Sequence, residues 1–134
     1  MRILQVMAGA PYGGAEAFFT RLVPALEKSV RIQQRAIIRT HPQRTAALRQ
    51  NGVDVAEVPF GGRFDFKTSR MLSREIKDFN PDIVVTWMNR ASGACPQGDF
   101  VHVARLGGYY NLKYYQNCDH LIANTKDIAN YLAD

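Results

Sequence analysis

Three observations along the 134 residues predict an α/β fold. Short apolar runs alternate with segments of helical period, the connections between them are short, and neither an internal repeat nor a Pro- or Ser-rich linker interrupts the series. That alternation implies a Rossmann-like open parallel sheet of about six strands with helices on both faces, wound by right-handed crossovers. A chain of 134 residues, 46% of them hydrophobic, has the size of one compact unit, so residues 1–134 are expected to form a single domain. It needs neither disulfides nor a structural metal to bury a core.

Ile3, Leu4, Val6 and Met7 form a near-continuous apolar run, as in a strand covered on both faces, and Gly9-Ala10-Pro11-Tyr12-Gly13-Gly14 ends it. The period then changes. Ala15, Phe18, Phe19, Leu22 and Leu26 recur at helical spacing through Lys28, with Glu16 near the positive end of the helix dipole and Lys28 near the negative end. Pro24 falls inside this helix, where it should remove a hydrogen bond and bend the last turn. A second strand is predicted from Arg31 to Arg39, and a helix from Pro42 to Gln50 that stops at Asn51-Gly52. Val53 to Val58 alternate as a third strand, and a helix from Phe66 to Phe79 ends before Pro81. Asp82 to Trp87 reads as the fourth strand, Phe100 to Ala104 as the fifth and His120 to Ala123 as a short sixth, with Asn124 or Thr125 capping a last helix.

The charge balance narrows the function classes without choosing one. Seventeen Lys and Arg against twelve Asp and Glu give a formal net charge of +5. That favours an anionic partner: nucleic acid, an anionic membrane face or a phosphorylated small molecule. The 22% of charged residues is ordinary for a globular protein and excludes a disordered chain. Cys95 and Cys118 lie far apart, and the early apolar stretch is broken by Gln5, so free thiols in a reducing, cytoplasmic setting are expected. No run approaches the roughly 18 to 20 apolar residues of a membrane span. His41, His102 and His120 show no metal-ligand spacing with one another or with the cysteines, so no metal is expected. His102 and His120 fall in predicted strands, which suggests buried, hydrogen-bonded roles.

Open parallel sheets bind ligands at the carboxyl ends of their strands, in the crevice where strand order reverses, here expected between the first and fourth strands. The candidate loops are therefore Gly9 to Glu16, Thr86 to Ser92 and Arg105 to Tyr110. Gly13 and Gly14 open the first helix directly after the first strand, so its N–H groups can face a phosphate or sugar hydroxyl with no side chain between. The plainer reading is that the glycines only make a tight turn. Glu16 complements the dipole but would repel an adjacent anion, which makes it a helix-start residue first. Two nucleotide signatures fail: Pro11 occupies the second Gly position of the dinucleotide pattern, and the loop lacks the Lys-Ser/Thr of a P-loop.

The initial strand followed by Gly13-Gly14-Ala15-Glu16, then Pro81-Asp82-Ile83-Val84-Val85-Thr86, then Cys118-Asp119-His120-Leu121-Ile122-Ala123-Asn124-Thr125, resembles the N-terminal, acceptor-side domain of a family 4, GT-B fold glycosyltransferase. The resemblance implies a retaining enzyme that moves a sugar from a nucleotide-sugar donor to an acceptor glycan or lipid, as in lipid or cell-surface polysaccharide synthesis. It implies no cofactor, the nucleotide-sugar being substrate. It also implies a C-terminal donor-binding domain whose paired-glutamate motif nothing in residues 1–134 matches, so this chain is expected to be inactive alone. Gly13 and Gly14 would lie against the donor phosphates. Many relatives carry a His at the end of the fifth strand where Arg105 stands here; a guanidinium stays protonated, so Arg105 would hold a phosphate rather than act as a base. Its plainer role is a surface or ion-pairing arginine.

Asn89 and Arg90 follow the fourth strand and are candidates for acceptor hydrogen bonds, whereas Trp87 beside them suits the core. Tyr109, Tyr110, Tyr114 and Tyr115 cluster after the fifth strand, where Tyr109 and Tyr110 are acceptor-stacking candidates and core packing is equally open. Lys67, Arg70, Arg74 and Lys77 share one side of the third helix, a solvated face or a dock for an anionic membrane surface or acceptor. Arg31, Arg35, Arg39, Arg44 and Arg49 add to the same field. The competing reading is a non-catalytic anion- or nucleic-acid-binding module on the same sheet. Nucleic acid is not expected, because no recognition motif is present and the basic residues are spread over several elements.

Overall fold

A computed structural model describes residues 1–61, 66–106, 115, 118–123 and 130. In chain order the elements are β1 (Arg2–Met7), α1 (Gly14–Glu27), β2 (Gln33–Arg39), α2 (Pro42–Gln50), β3 (Asp54–Val58), α3 (Phe66–Phe79), β4 (Ile83–Trp87), α4 (Met88–Ala94), β5 (Val101–Leu106) and β6 (His120–Ala123). The strands form one sheet in the order β3-β2-β1-β4-β5-β6, with every neighbouring pair parallel. The chain winds outward from β1 to β3, then returns to β4 on the other side of β1. The reversal therefore falls between β1 and β4, where Val6 pairs with Thr86 and Met7 with Trp87.

Two apolar layers sandwich the sheet, and the period-2 alternation of the strands sorts residues between them. Leu4, Val6, Ile37, Val58 and Val84 pack against Leu72 and Phe79 of α3 and Ala91 of α4. Met7, Ala36, Ile38, Val55 and Trp87 pack against Phe19 and Val23 of α1 and Leu48 of α2. Each fully buried side chain of this size stabilises the fold by about 1.5–3 kcal/mol. Lys67, Arg70, Arg74 and Lys77 stay exposed on α3 while Leu72 and Phe79 are buried, so the helix is amphipathic as its sequence predicts.

Gln5, the polar residue within the first apolar run, is buried and bonded through both its amide oxygen and its amide nitrogen. Its Oε1 accepts from Trp87 Nε1 at 3.0 Å, and its Nε2 donates to Gln34 Oε1 at 3.2 Å. Gln34 Nε2 in turn donates to the Val23 carbonyl at 2.8 Å and to Glu27 Oε2 at 3.1 Å. This chain of amides ties β4, β1 and β2 to the end of α1, because a buried amide left without partners would cost about 1–3 kcal/mol. On the opposite face, Thr86 Oγ1 joins Ser92 Oγ at 2.9 Å and His102 Nε2 at 2.7 Å, linking β4, α4 and β5. His102 is buried, as its strand position predicts; His120 is exposed on β6, which corrects the expectation of burial.

Three further differences from the sequence reading have local causes. β2 begins at Gln33 rather than Arg31, because Gln33 is the first residue in register with Arg2. The stretch after β4 is a helix, α4, where a loop was expected. β5 extends to Leu106, since Arg105 pairs with Trp87 and Leu106 with Ala123, so Arg105 is a strand residue. α1 continues past Pro24 to Glu27, and the Ser29 N–H closes a short turn on the Leu26 carbonyl at 3.0 Å. The expected cap at Asn124 or Thr125 lies outside the described residues.

Candidate functional site

At the reversal point the chain leaves β1 through Ala8, Gly9, Ala10, Pro11 and Tyr12 and enters α1 at Gly14. Gly9 has φ +67°, a left-handed backbone that a side chain would strain. Three side chains from the end of β2 and the start of α2 hold the loop by its carbonyls. Arg39 Nη1 donates to Gly9 O at 2.9 Å, Arg44 Nη2 donates to Ala10 O at 2.9 Å, and His41 Nε2 lies 3.2 Å from Pro11 O. His41 also caps α2, its Nδ1 accepting from the Arg44 N–H at 3.0 Å. That assignment leaves Nε2 as the protonated nitrogen, and so as the donor to Pro11.

The start of α1 is bare. Gly13 is its N-cap and supplies no side-chain cap, and a Cβ placed on Gly14 would meet nothing within 4 Å. The first-turn N–H groups of α1 lack partners within the helix, as at any helix start. Gly13 is different: a Cβ there would collide with the Glu16 carboxylate. Glu16 is buried at 7% exposure and folded back on the helix start, and its charge lies in the field of Arg44. Burial lowers the Arg44 pKa from its ordinary value, and the Glu16 carboxylate partly offsets that.

The crevice itself is a cavity of about 390 Å³, walled by Gly9 and Glu16 on one side and by Arg39, Met88, Asn89 and Arg90 on the other. Met88 makes the turn from β4 into α4 with φ +70°, a conformation that costs a non-glycine residue about 1–2 kcal/mol. Phe60 is similarly placed, with φ +45°. Its carbonyl accepts from Arg39 Nη2 at 2.9 Å and from Arg90 Nη1 at 3.1 Å. Burial and the neighbouring Arg90 charge lower the Arg39 pKa.

Of the residues singled out from sequence, Asn89 and Arg90 line this crevice, Gly13 lines a neighbouring cavity with Tyr12, His41 and Arg44, and Gly14 lines neither. Asn89 Oδ1 accepts a short hydrogen bond from the Tyr115 hydroxyl, and Tyr115 itself is buried beside β5 and β6. Tyr109 and Tyr110 lie outside the described residues. Arg105 is only partly exposed, with its guanidinium carbon 4.7 Å from the ring centres of both Phe18 and Trp87. Its guanidinium is thus stacked against two aromatic faces. Arg39, His41 and Arg44 are the residues the sequence reading missed as loop clamps; their only signal was position, just past the carboxyl end of β2.

Among the described residues, no group of three or more His, Cys, Asp and Glu is placed to hold a metal ion. Cys95 and Cys118 are free, and burial pushes their thiols up to about 12 and about 11. Such thiols are not nucleophiles at neutral pH. No described helix is long and apolar enough to cross a membrane.

No family model matches the chain. It is 34% identical over 135 residues to the lipopolysaccharide core biosynthesis glycosyltransferase LpsD of Rhizobium meliloti, a match covering 96% of this chain and 38% of that protein. LpsE of the same organism, also a lipopolysaccharide core biosynthesis glycosyltransferase, is 33% identical over 136 residues, covering 91% of this chain and 36% of its own. The chain thus spans well under half the length of these relatives. Among solved structures, a glycosyltransferase from Rickettsia africae superposes with a TM-score of 0.79 at 20% identity, over 99% of this chain and 39% of that one. The apo lipopolysaccharide outer core galactosyltransferase WaaB gives 0.68 at 18% identity, over 99% and 42%. A Neisseria meningitidis UDP-GlcNAc 2-epimerase bound to UDP-GlcNAc gives 0.67 at 20% identity, over 99% and 43%. Its homologues by sequence are glycosyltransferases of lipopolysaccharide synthesis; the structural neighbours share the fold.

Proposed function

We propose that this chain is the acceptor-side half of a retaining, family 4 type glycosyltransferase that transfers a sugar from a nucleotide-sugar donor to a glycan or lipid acceptor. The observation that carries the reading is the start of α1, the helix that follows β1 at the β1–β4 reversal: Gly13 offers no side-chain cap, and a Cβ on Gly14 would meet nothing within 4 Å. A nucleotide-sugar brings a pyrophosphate, and uncapped N–H groups at a helix start stabilise developing charge on a leaving phosphate. Glu16 does not oppose this, because its carboxylate is folded back within the field of Arg44.

In this reading Gly13 and Gly14 pass the main chain against the donor. Asn89 and Arg90 face the acceptor across the cavity, with Tyr109 and Tyr110 as stacking partners. Arg105, its guanidinium stacked on Phe18 and Trp87 near the end of β5, holds positive charge for a donor phosphate. A second domain would bring the remaining donor contacts and close the cleft. The exposed basic side of α3, together with Phe66 at 67% exposure, suits peripheral contact with an anionic membrane from a cytoplasmic location.

The 2-epimerase neighbour shows that one sheet serves more than one chemistry on nucleotide-sugars. The sequence relatives at 34% and 33% identity favour transfer. The test is the intact protein incubated with a panel of nucleotide-sugars and a lipopolysaccharide-core acceptor. Transfer or donor hydrolysis from one of them is expected; none from any of them contradicts the reading. Binding of nucleic acid that weakens steeply with salt would instead favour the non-catalytic module.

A further inference from the structure

Two cations line the crevice together, converging on one backbone oxygen. Arg39 arrives from the end of β2 and Arg90 from α4, and both donate to the same Phe60 carbonyl, at 2.9 and 3.1 Å. Like charges drawn onto one oxygen repel; burial, with that repulsion added, lowers the Arg39 pKa. Neither has an ion-pair partner among the described residues, whose salt bridges join Arg35 to Asp54 and to Glu75. Glu16 lines the same cavity but lies in the field of Arg44.

The arrangement is held, not incidental. Phe60 keeps a left-handed φ of +45°, its ring is buried at 2% exposure, and its N–H donates to Thr68 Oγ1 at 2.9 Å. The carbonyl is thus fixed from both sides toward the two guanidinium groups. Backbone strain of this kind costs about 1–3 kcal/mol and persists where the surroundings impose it. Each guanidinium carries five N–H donors in a planar fork. Arg39 spends one on Gly9 O and one on Phe60 O, and Arg90 spends one on Phe60 O. The remaining donors are available to an oxyanion, and a phosphate is matched by such forks in a bidentate manner.

We propose that Arg39 and Arg90 form an anion subsite in the crevice, which takes a phosphate monoester borne by the acceptor sugar. The acceptor assignment rests on the transferase reading above; the anion subsite does not. The other source of the same chemistry is the donor pyrophosphate, and placement argues against it. Phe60 belongs to the layer packed by α3 and α4, whereas α1, whose bare start is the expected donor contact, packs on the opposite face of the sheet.

Calorimetric titration of the intact protein with glucose 6-phosphate, glucose and UDP separates these sources. Glucose 6-phosphate is expected to bind at least tenfold more tightly than glucose. Arg39→Gln and Arg90→Gln should each weaken it at least tenfold while leaving UDP affinity within twofold. Arg39→Gln loses two structural hydrogen bonds, so if it fails to fold, Arg90→Gln decides, since its exposed side chain gives up one. Equal binding of phosphorylated and neutral sugar overturns the proposal, as does loss of UDP rather than sugar-phosphate affinity in the variants. Arginine-dependent binding of glucose 6-phosphate in a protein that transfers no sugar upholds the subsite and overturns the transferase reading alone.

Discussion

Adding one methyl group to either of two adjacent glycines should move stability in opposite directions. At Gly13 a Cβ collides with the Glu16 carboxylate, so in Gly13→Ala the buried Glu16 side chain must leave its place. Driving that side chain off its rotamer costs about 0.5–1.5 kcal/mol. Weakening its interaction with the helix start costs roughly 0.3–1 kcal/mol. Alanine is also a poorer N-cap than glycine by several tenths of a kcal/mol. The variant should lose about 2 kcal/mol, or about 8 °C in Tm for a domain of this size. At Gly14, the first residue of α1, a Cβ meets nothing within 4 Å. Gly14→Ala should therefore gain about 0.5 kcal/mol from reduced backbone entropy in the unfolded chain. Urea titration of both variants at fixed pH reads the difference. Adding Glu16→Ala to Gly13→Ala should recover about 1 kcal/mol, the coupling expected of residues in contact. A Gly13→Ala protein as stable as wild type, or a Gly14→Ala protein destabilised as much as Gly13→Ala, would refute the geometry of the helix start.

Trp87→Phe removes the donor to Gln5 Oε1 in a buried amide chain, and should cost about 2–3 kcal/mol by urea unfolding; a loss under about 0.5 kcal/mol would show the chain to be dispensable. Cys95 and Cys118 have thiols raised to about 12 and about 11, whereas in the unfolded chain they ionise near their ordinary 9.0. Above that ordinary value the unfolded state sheds protons that the native state keeps, so native stability should fall as pH rises from about 9 toward 11 to 12. Alkylation by iodoacetamide at pH 7 should accordingly be at least tenfold slower in the native chain than in the unfolded one. Rapid native alkylation would show that the thiols are not buried as described.

The layered fold was legible because hydrophobic period reports it directly: Leu4 and Val6 alternate with Met7 between two covers, and Leu72 and Phe79 of α3 fall at helical spacing. α4 was not, because it starts at Met88 with φ +70° straight out of β4 and without a side-chain cap, so nothing in the residue types announces it. Arg105 reads as a loop residue beside Gly107-Gly108, yet pairing with Trp87 carries the strand through it. Gly13 and Gly14 were visible as the side-chain-free start of a helix. The clamps on the loop before them were not, since Arg39, His41 and Arg44 grip carbonyls some thirty residues earlier in the chain. Contacts of that separation exist only once the sheet has formed.

Transfer by Gly14→Val measures the central claim most directly. The valine places branched carbons where the structure has open space and leaves the packing beneath α1 untouched. Sugar transfer from the donor the wild-type protein accepts should fall about 100-fold, the order of effect of one lost oxyanion donor contact, while Tm changes by no more than about 2 °C. Undiminished transfer by a well-folded Gly14→Val protein would mean that the donor does not approach the start of α1.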